Sequence, residues 1–308
     1  MNKQIEIAGK KIFYRLHGNG KPVMLIHGFG ETGDVWQNQL AYLENDFQLI
    51  IPDLPGSGES DLIDDMSLEG MAEVIKIILD IESKPAQTPA SEGLSIAHSQ
   101  LKEGSQTSQH LPLSESSQVS PPTGGGDLKG ARVLIGHSMG GYITLAFASQ
   151  YPGYLSAIGL FHSSAFGDSE EKKEIRKKGI EFIHRHGAFE FLKNSTPNLF
   201  SLLSKDEKPE LIDGFIRSLR NFSDRSLVSY YEAMMQRPDR TDLLKNIELP
   251  VLFVMGEYDN AAPLQDGLKQ AHMPEKSYIH ILHQSGHMGM LEEPDNSNHI
   301  LKQFLSEI

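Results

Sequence analysis

The chain of 308 residues contains no cysteine. That excludes disulfides and thiolate chemistry, and it fits a reducing compartment. No apolar run is long enough to span a bilayer. The longest helical candidate of that kind, Met71 to Ile81, is broken by Lys76 and Asp80. The opening Met1-Asn2-Lys3-Gln4-Ile5 goes straight into a strand pattern and lacks the apolar stretch of a signal peptide, so a cytoplasmic location is expected. Basic residues are in deficit, 28 against 41 acidic ones, for a formal charge of −13. This balance disfavours nucleic acid and anionic membrane surfaces as partners. Aromatic residues are missing from one long stretch, 84–130, which also lacks any sustained apolar period.

What is present is an alternation of strand and helix patterns. It predicts an α/β protein with a mostly parallel sheet, in a chain long enough for one large domain with insertions. Gln4 to Ile7 and Lys11 to Arg15 read as an antiparallel hairpin. Pro22-Val23-Met24-Leu25-Ile26 and Phe47-Gln48-Leu49-Ile50-Ile51 read as further strands, the first of them buried.

The most informative segment is Gly136-His137-Ser138-Met139-Gly140-Gly141. It follows the apolar run Val133-Leu134-Ile135 and precedes a helical pattern, Tyr142 to Ser149. A Gly-x-Ser-x-Gly between strand and helix holds its serine in a sharp, strained turn, with the hydroxyl lifted above the sheet. Gly136 and Gly140 keep side chains out of the crowded crossing. Ser138 is therefore a candidate nucleophile, and the N–H of Met139 at the helix start points toward developing negative charge.

A serine needs a base, and the base needs an orienting group. The strand Leu249 to Met255 runs into Gly256-Glu257-Tyr258-Asp259-Asn260. The strand Tyr278 to Leu282 runs into His283-Gln284-Ser285-Gly286-His287. Asp259 and His287 thus fall in loops at carboxyl ends of strands, the edge where open α/β sheets bind ligands. The order Ser, Asp, His is that of the nucleophile-elbow enzymes.

On these segments, with His27-Gly28-Phe29-Gly30 and Asp53-Leu54-Pro55-Gly56-Ser57-Gly58-Glu59-Ser60, the chain resembles the α/β-hydrolase superfamily in its single-domain group with a helical lid. The resemblance implies the α/β-hydrolase fold, with Ser138 as nucleophile, Asp259 as acid and His287 as base. It also implies an oxyanion hole made by the N–H groups of Phe29 and Met139. The Asp53 to Ser60 segment is read as a structural turn, with Asp53 binding nearby backbone N–H groups.

Two insertions have different meanings. Residues 84–130 join a helix (Leu68 to Ile81) to the strand at Arg132 from its amino end, away from the active-site edge. With the proline, serine and glycine runs and no core-forming pattern, they read as a flexible surface excursion in which His98 and His110 face water. Residues 163–243 leave from the active-site edge and resemble the family's helical cap. Helices are expected at Ser169 to His186, Gly187 to Asn194, Pro209 to Asn221 and Ser226 to Gln236. The core is then 1–162 and 244–308. Phe166, Leu199, Phe200, Met234 and Met235 are the candidates to line a substrate pocket.

Other histidines and carboxylates fit structural roles. His280, His283 and His287 lie on a strand running into a loop, so no metal site is expected. His137 is assigned to packing, on a side chain turned away from the elbow. His184 and His186 face solvent. Asp168 is an alternative triad acid that fits its loop less well than Asp259.

The expected activity is hydrolysis of a carboxylic ester or related acyl compound through an acyl-enzyme, with no cofactor and a small-molecule acyl substrate. Ser138 argues against epoxide hydrolase and haloalkane dehalogenase, which use an Asp nucleophile. Lactonase, thioesterase, C–C hydrolase, cofactor-free haloperoxidase and acyltransferase chemistry share the triad. A hydrolase-like ligand sensor and a scaffold acting through 84–130 are the readings outside catalysis. Oligomeric state is left open.

Overall fold

The computed structural model describes residues 1–82 and 132–308. The 84–130 excursion lies outside the described residues.

One eight-stranded sheet organises the molecule, in the order β1-β2-β4-β3-β5-β6-β7-β8. β1 (Asn2–Ile7) and β2 (Lys10–His17) form the expected antiparallel hairpin, and β2 also runs antiparallel to β4 (Phe47–Pro52). From β4 onward every pairing is parallel, through β3 (Lys21–Ile26), β5 (Val133–His137), β6 (Ala157–Phe161), β7 (Val251–Gly256) and β8 (Ser277–Leu282).

The strand alternation decides the two faces. Met24, Ile26 and Leu134 pack into one core with α2 (Leu68–Glu82) and α3 (Met139–Gln150). Their neighbours Val23, Leu25, Val133 and Ile135 pack into the other, with α1 (Gln37–Leu43) and α12 (Pro294–Glu307). Side chains of period two thus feed two separate cores. β5 is buried along its whole length, as a parallel strand covered on both faces must be.

Between β6 and β7 the chain makes a helical insertion: α4 (Glu170–His186), α5 (Ala188–Ser195), a 3-10 turn (Thr196–Leu199), α6 (Leu202–Glu207), α7 (Pro209–Ser218), α8 (Asp224–Gln236) and α9 (Thr241–Asn246). The longer helices match the periodicity. α6 and α9, of six residues each, are too short to show one. Ser169 caps α4 by accepting from the Lys172 N–H, and Lys173–Glu170 and Lys177–Glu174 pairs lie on its solvated face. His184 and His186 are exposed. After β7 come α10 (Leu264–Ala271), β8 and the short α11 (Gly289–Glu292).

The insertion is fastened to the sheet edge. Tyr231 stacks on Phe29 with centroids 4.4 Å apart, and the Tyr230 hydroxyl donates to the Pro55 carbonyl at 2.7 Å. Asp53 accepts from the Gly33 N–H at 2.8 Å, a backbone bond of the kind expected, and pairs with Arg15, also at 2.8 Å.

Candidate active site

Ser138 has φ 51° and ψ −117°, a left-handed conformation that costs a non-glycine residue about 1–3 kcal/mol. The turn survives because its surroundings dictate it. Ser138 N–H donates to the Phe161 carbonyl at 3.0 Å, extending the β5–β6 ladder one residue past the strand, and Ser163 Oγ donates to the Ser138 carbonyl at 2.7 Å. A Cβ on Gly136 would lie 2.1 Å from the Gly140 carbonyl oxygen, and one on Gly140 would lie 2.5 Å from that of Ile26. Only glycine at both positions allows α3 to start this close to the sheet. Met139 is the first residue of α3, so its N–H has no partner within the helix ladder.

Asp259 and His287 converge from the ends of β7 and β8. His287 Nδ1 lies 2.8 Å from Asp259 Oδ2, and both side chains are buried. Asp259 Oδ1 accepts from the N–H groups of Ala261 and Ala262, each at 2.8 Å. Burial alone would oppose ionisation of Asp259, but His287 and His162 hold its carboxyl well below the ordinary carboxylate range. Burial likewise pushes His287 down, and the charge of Asp259 and its hydrogen bond outweigh that, so the ring is raised above its ordinary value.

Ser138 and His287 line one cavity of about 260 Å³, with Phe29, Tyr142, Leu199 and Met234. Tyr231, Ile175 and Arg176 of the insertion also line it. Of the expected pocket residues, Leu199 and Met234 are therefore here. Phe166 lines an adjoining cavity instead. Phe200 and Met235 need correction, because neither lines this cavity. Phe200 is buried in the core against Phe215, with centroids 6.1 Å apart. Met235 sits one position past Met234 on α8, a rotation of about 100° off the inward stripe.

Three acidic or imidazole groups were not assigned from sequence to this site. His162, directly after β6, has φ 48° and places Nδ1 3.0 Å from Asp259 Oδ2, the oxygen used by His287. An ionised Asp259 accepts both Nδ1 protons, which leaves His162 Nε2 bare; it is buried without a hydrogen-bond partner. Burial pushes His162 down to about 4, so the ring is neutral. Glu31, buried, accepts from the Gly28 N–H at 2.8 Å and contacts His137 Nδ1 at 3.0 Å. Burial would raise its carboxyl, yet His137 and the Gly28 N–H bring it below the ordinary value. His137 Nε2 then reaches the His287 carbonyl at 2.9 Å, with its ring 4.8 Å from the His287 ring. The expectation that His137 turns away and merely packs is thus corrected: it buttresses the backbone of His287.

The His287 loop is held by acids as well. Glu292 Oε1 accepts from the N–H groups of Gly286 (2.8 Å) and Met288 (3.1 Å), and Oε2 accepts from Ser201 N–H at 2.8 Å. The His287 N–H donates to the Leu199 carbonyl at 2.6 Å. Asp168 is far from any such role. Its carboxylate is taken by Arg176 (2.6 Å) and Arg237 (2.9 Å). His283 pairs with Glu257 at the surface. The closest group of metal-type donors among the described residues is His162, Asp259 and His287, and it is held together by its own hydrogen bonds.

A family-wide sequence pattern matches residues 23–298, a span that takes in Ser138, Asp259 and His287. The chain belongs to the alpha/beta hydrolase family. It is a hydrolase, and several of its curated relatives carry that name. The 2-hydroxy-6-oxo-6-phenylhexa-2,4-dienoate hydrolase of Comamonas testosteroni is 22% identical over 96% of this chain and 91% of that protein. Among solved structures, a thermophilic esterase from Thermogutta terrifontis with malate bound is 25% identical, with a TM-score of 0.79 over 100% of this chain and 98% of that one. The enol-lactonase of Burkholderia xenovorans LB400 has a TM-score of 0.77 at 17% identity, over 99% and 100% of the two chains. Among the described residues no helix is long and apolar enough to cross a membrane.

Proposed function

We propose that this hydrolase cleaves a carboxylic ester or related small acyl compound through an acyl-enzyme on Ser138. The observation that carries the reading is the contact of His287 Nδ1 with Asp259 Oδ2, in a residue that shares a cavity with a strained Ser138. His287 Nε2 takes the Ser138 proton as Oγ attacks the acyl carbon. The carbonyl π electrons move to oxygen, and the N–H groups of Phe29 and Met139 receive that oxyanion. Collapse expels the alcohol, which leaves with the proton from His287. Water then repeats the sequence, giving its proton to His287 and releasing the acid. Asp259 holds the imidazole in the Nδ1–H tautomer and stabilises the imidazolium. The helical insertion acts as the cap over this cavity, and the chain needs no cofactor.

The relatives named for dienoate C–C hydrolysis support a second reading, in which the same serine and histidine cleave a carbon–carbon bond next to a carbonyl. A panel of chromogenic esters of graded acyl length, run beside a vinylogous 1,5-diketo acid, separates the two. Ester turnover with serine-directed fluorophosphonate labelling, both lost in Ser138→Ala, supports the first reading. Full turnover in Ser138→Ala rejects both.

A further inference from the structure

The acyl cavity does not end at Tyr142. A neighbouring cavity of about 290 Å³ shares Tyr142, Lys172 and Ala261 with it. The charges along this joined space do not balance. Glu31, the carboxylate lining the first cavity, is already engaged by His137 and the Gly28 N–H. Asp266, lining the second, is paired with Lys269 at 2.9 Å. Asp168, behind the wall, is a single buried carboxylate serving two guanidiniums, those of Arg176 and Arg237. One guanidinium charge is therefore unmatched. Lys172 has no ion pair at all among the described residues, and it borders both cavities. Lys172 and Arg176 stand four residues apart on α4, which places them on one face of the helix. In a chain of net charge −13 this is a local excess of positive charge beside Ser138.

From this imbalance, and resting on the serine-hydrolase reading above, we infer that Lys172 and Arg176 form an anion subsite, so that the substrate is a small acyl compound bearing a carboxylate remote from the scissile carbonyl. Tyr231 lies 5.4 Å from the Arg176 guanidinium. Arg176 gives Nε (2.6 Å) and Nη2 (3.3 Å) to Asp168, so Nη1 is the nitrogen it offers a ligand beside Lys172. A carboxylate placed there completes the neutralisation that Asp168 leaves half done. It also fixes the distance between the anionic end and the attacked carbonyl.

The test compares two substrates of equal length: the 4-nitrophenyl hemiester of adipic acid, and the same compound with its free carboxyl methylated. The expected ratio of kcat/KM, anionic over neutral, is about tenfold or more, the usual worth of one charge-assisted contact. Lys172→Gln lowers that ratio toward one, Lys172→Glu inverts it, and added salt reduces it in the wild type. A wild-type ratio of one or below overturns the subsite, and so does a ratio that both variants leave unchanged. Binding provides a readout independent of turnover. Adipate binds the Ser138→Ala protein by calorimetry, dimethyl adipate does not, and Lys172→Glu abolishes the difference; equal binding or no adipate binding overturns the inference. Failure of fluorophosphonate to label Ser138 counts against the nucleophile assignment and leaves the adipate result to stand or fall alone.

Discussion

His162 and His287 donate to the same oxygen of Asp259, Oδ2, at 3.0 and 2.8 Å. The acid is thereby divided between His287, the proposed base, and a second ring that stays neutral. Burial sets His162 at about 4 in the folded chain, against 6.5 when unfolded. Between those values the unfolded chain takes up a proton that the folded chain refuses. Stability thus falls as pH drops from 6.5 toward 4, by about 3 kcal/mol for this group.

His162→Asn keeps a donor for Asp259 but removes the titration. The expected outcome is a curve of unfolding free energy against pH that is flatter than wild type between pH 4 and 6.5, measured by urea denaturation across that window. Curves of equal slope would show that His162 is not buried neutral.

The raised His287 has a kinetic consequence. In the proposed mechanism its neutral form is the working base, so kcat/KM is expected to decline as pH falls through its folded-state value. That acid limb is expected to have its midpoint above 6.5, the ordinary histidine value. A pH profile of ester hydrolysis reads it, and a midpoint below 6.5 contradicts the environment described for His287.

Glu292 supports the His287 loop through three backbone N–H groups, those of Ser201, Gly286 and Met288. Glu292→Ala leaves them buried without that acceptor, at a cost of about 3 kcal/mol or more. Denaturant midpoints measure the loss, and kcat is expected to fall in protein that remains folded. Glu292→Gln retains one acceptor oxygen and is expected to recover part of both.

Gly140→Ala tests the closeness of the elbow. The added Cβ would meet the Ile26 carbonyl at 2.5 Å, a backbone atom that cannot swing away. Overpacking of this kind costs about 1–3 kcal/mol. Activity is expected to fall further than stability, because the displaced helix start carries the Met139 N–H. Normal activity and melting temperature would mean that the crossing is looser than described.

The fold and the placement of three polar side chains at one sheet edge were legible for one reason: each follows a short, mainly apolar run of strand length. Val133–Ile135, Leu249–Met255 and Tyr278–Leu282 are strands by pattern, and Ser138, Asp259 and His287 follow their carboxyl ends. His162 also follows a strand, but nothing local marks it as a donor to an acid 97 residues away. Glu31 is hidden in the same way, since its partner His137 is 106 residues downstream. The insertion's periodicity shows which face of α8 is apolar, yet it is not sharp enough to choose Met234 over Met235. Phe200 follows a 3-10 turn with no period to read, and its burial depends on α7 packing near it.

The hydrogen bond from the His287 N–H to the Leu199 carbonyl joins the proposed base to the helical insertion by its main chain. Glu292 repeats the link by holding Ser201 with one oxygen and Gly286 with the other. Outward movement of residues 199–201 therefore withdraws a backbone restraint from His287. The segment that lines the cavity at Leu199 and the main chain that carries the imidazole are thus one bonded unit.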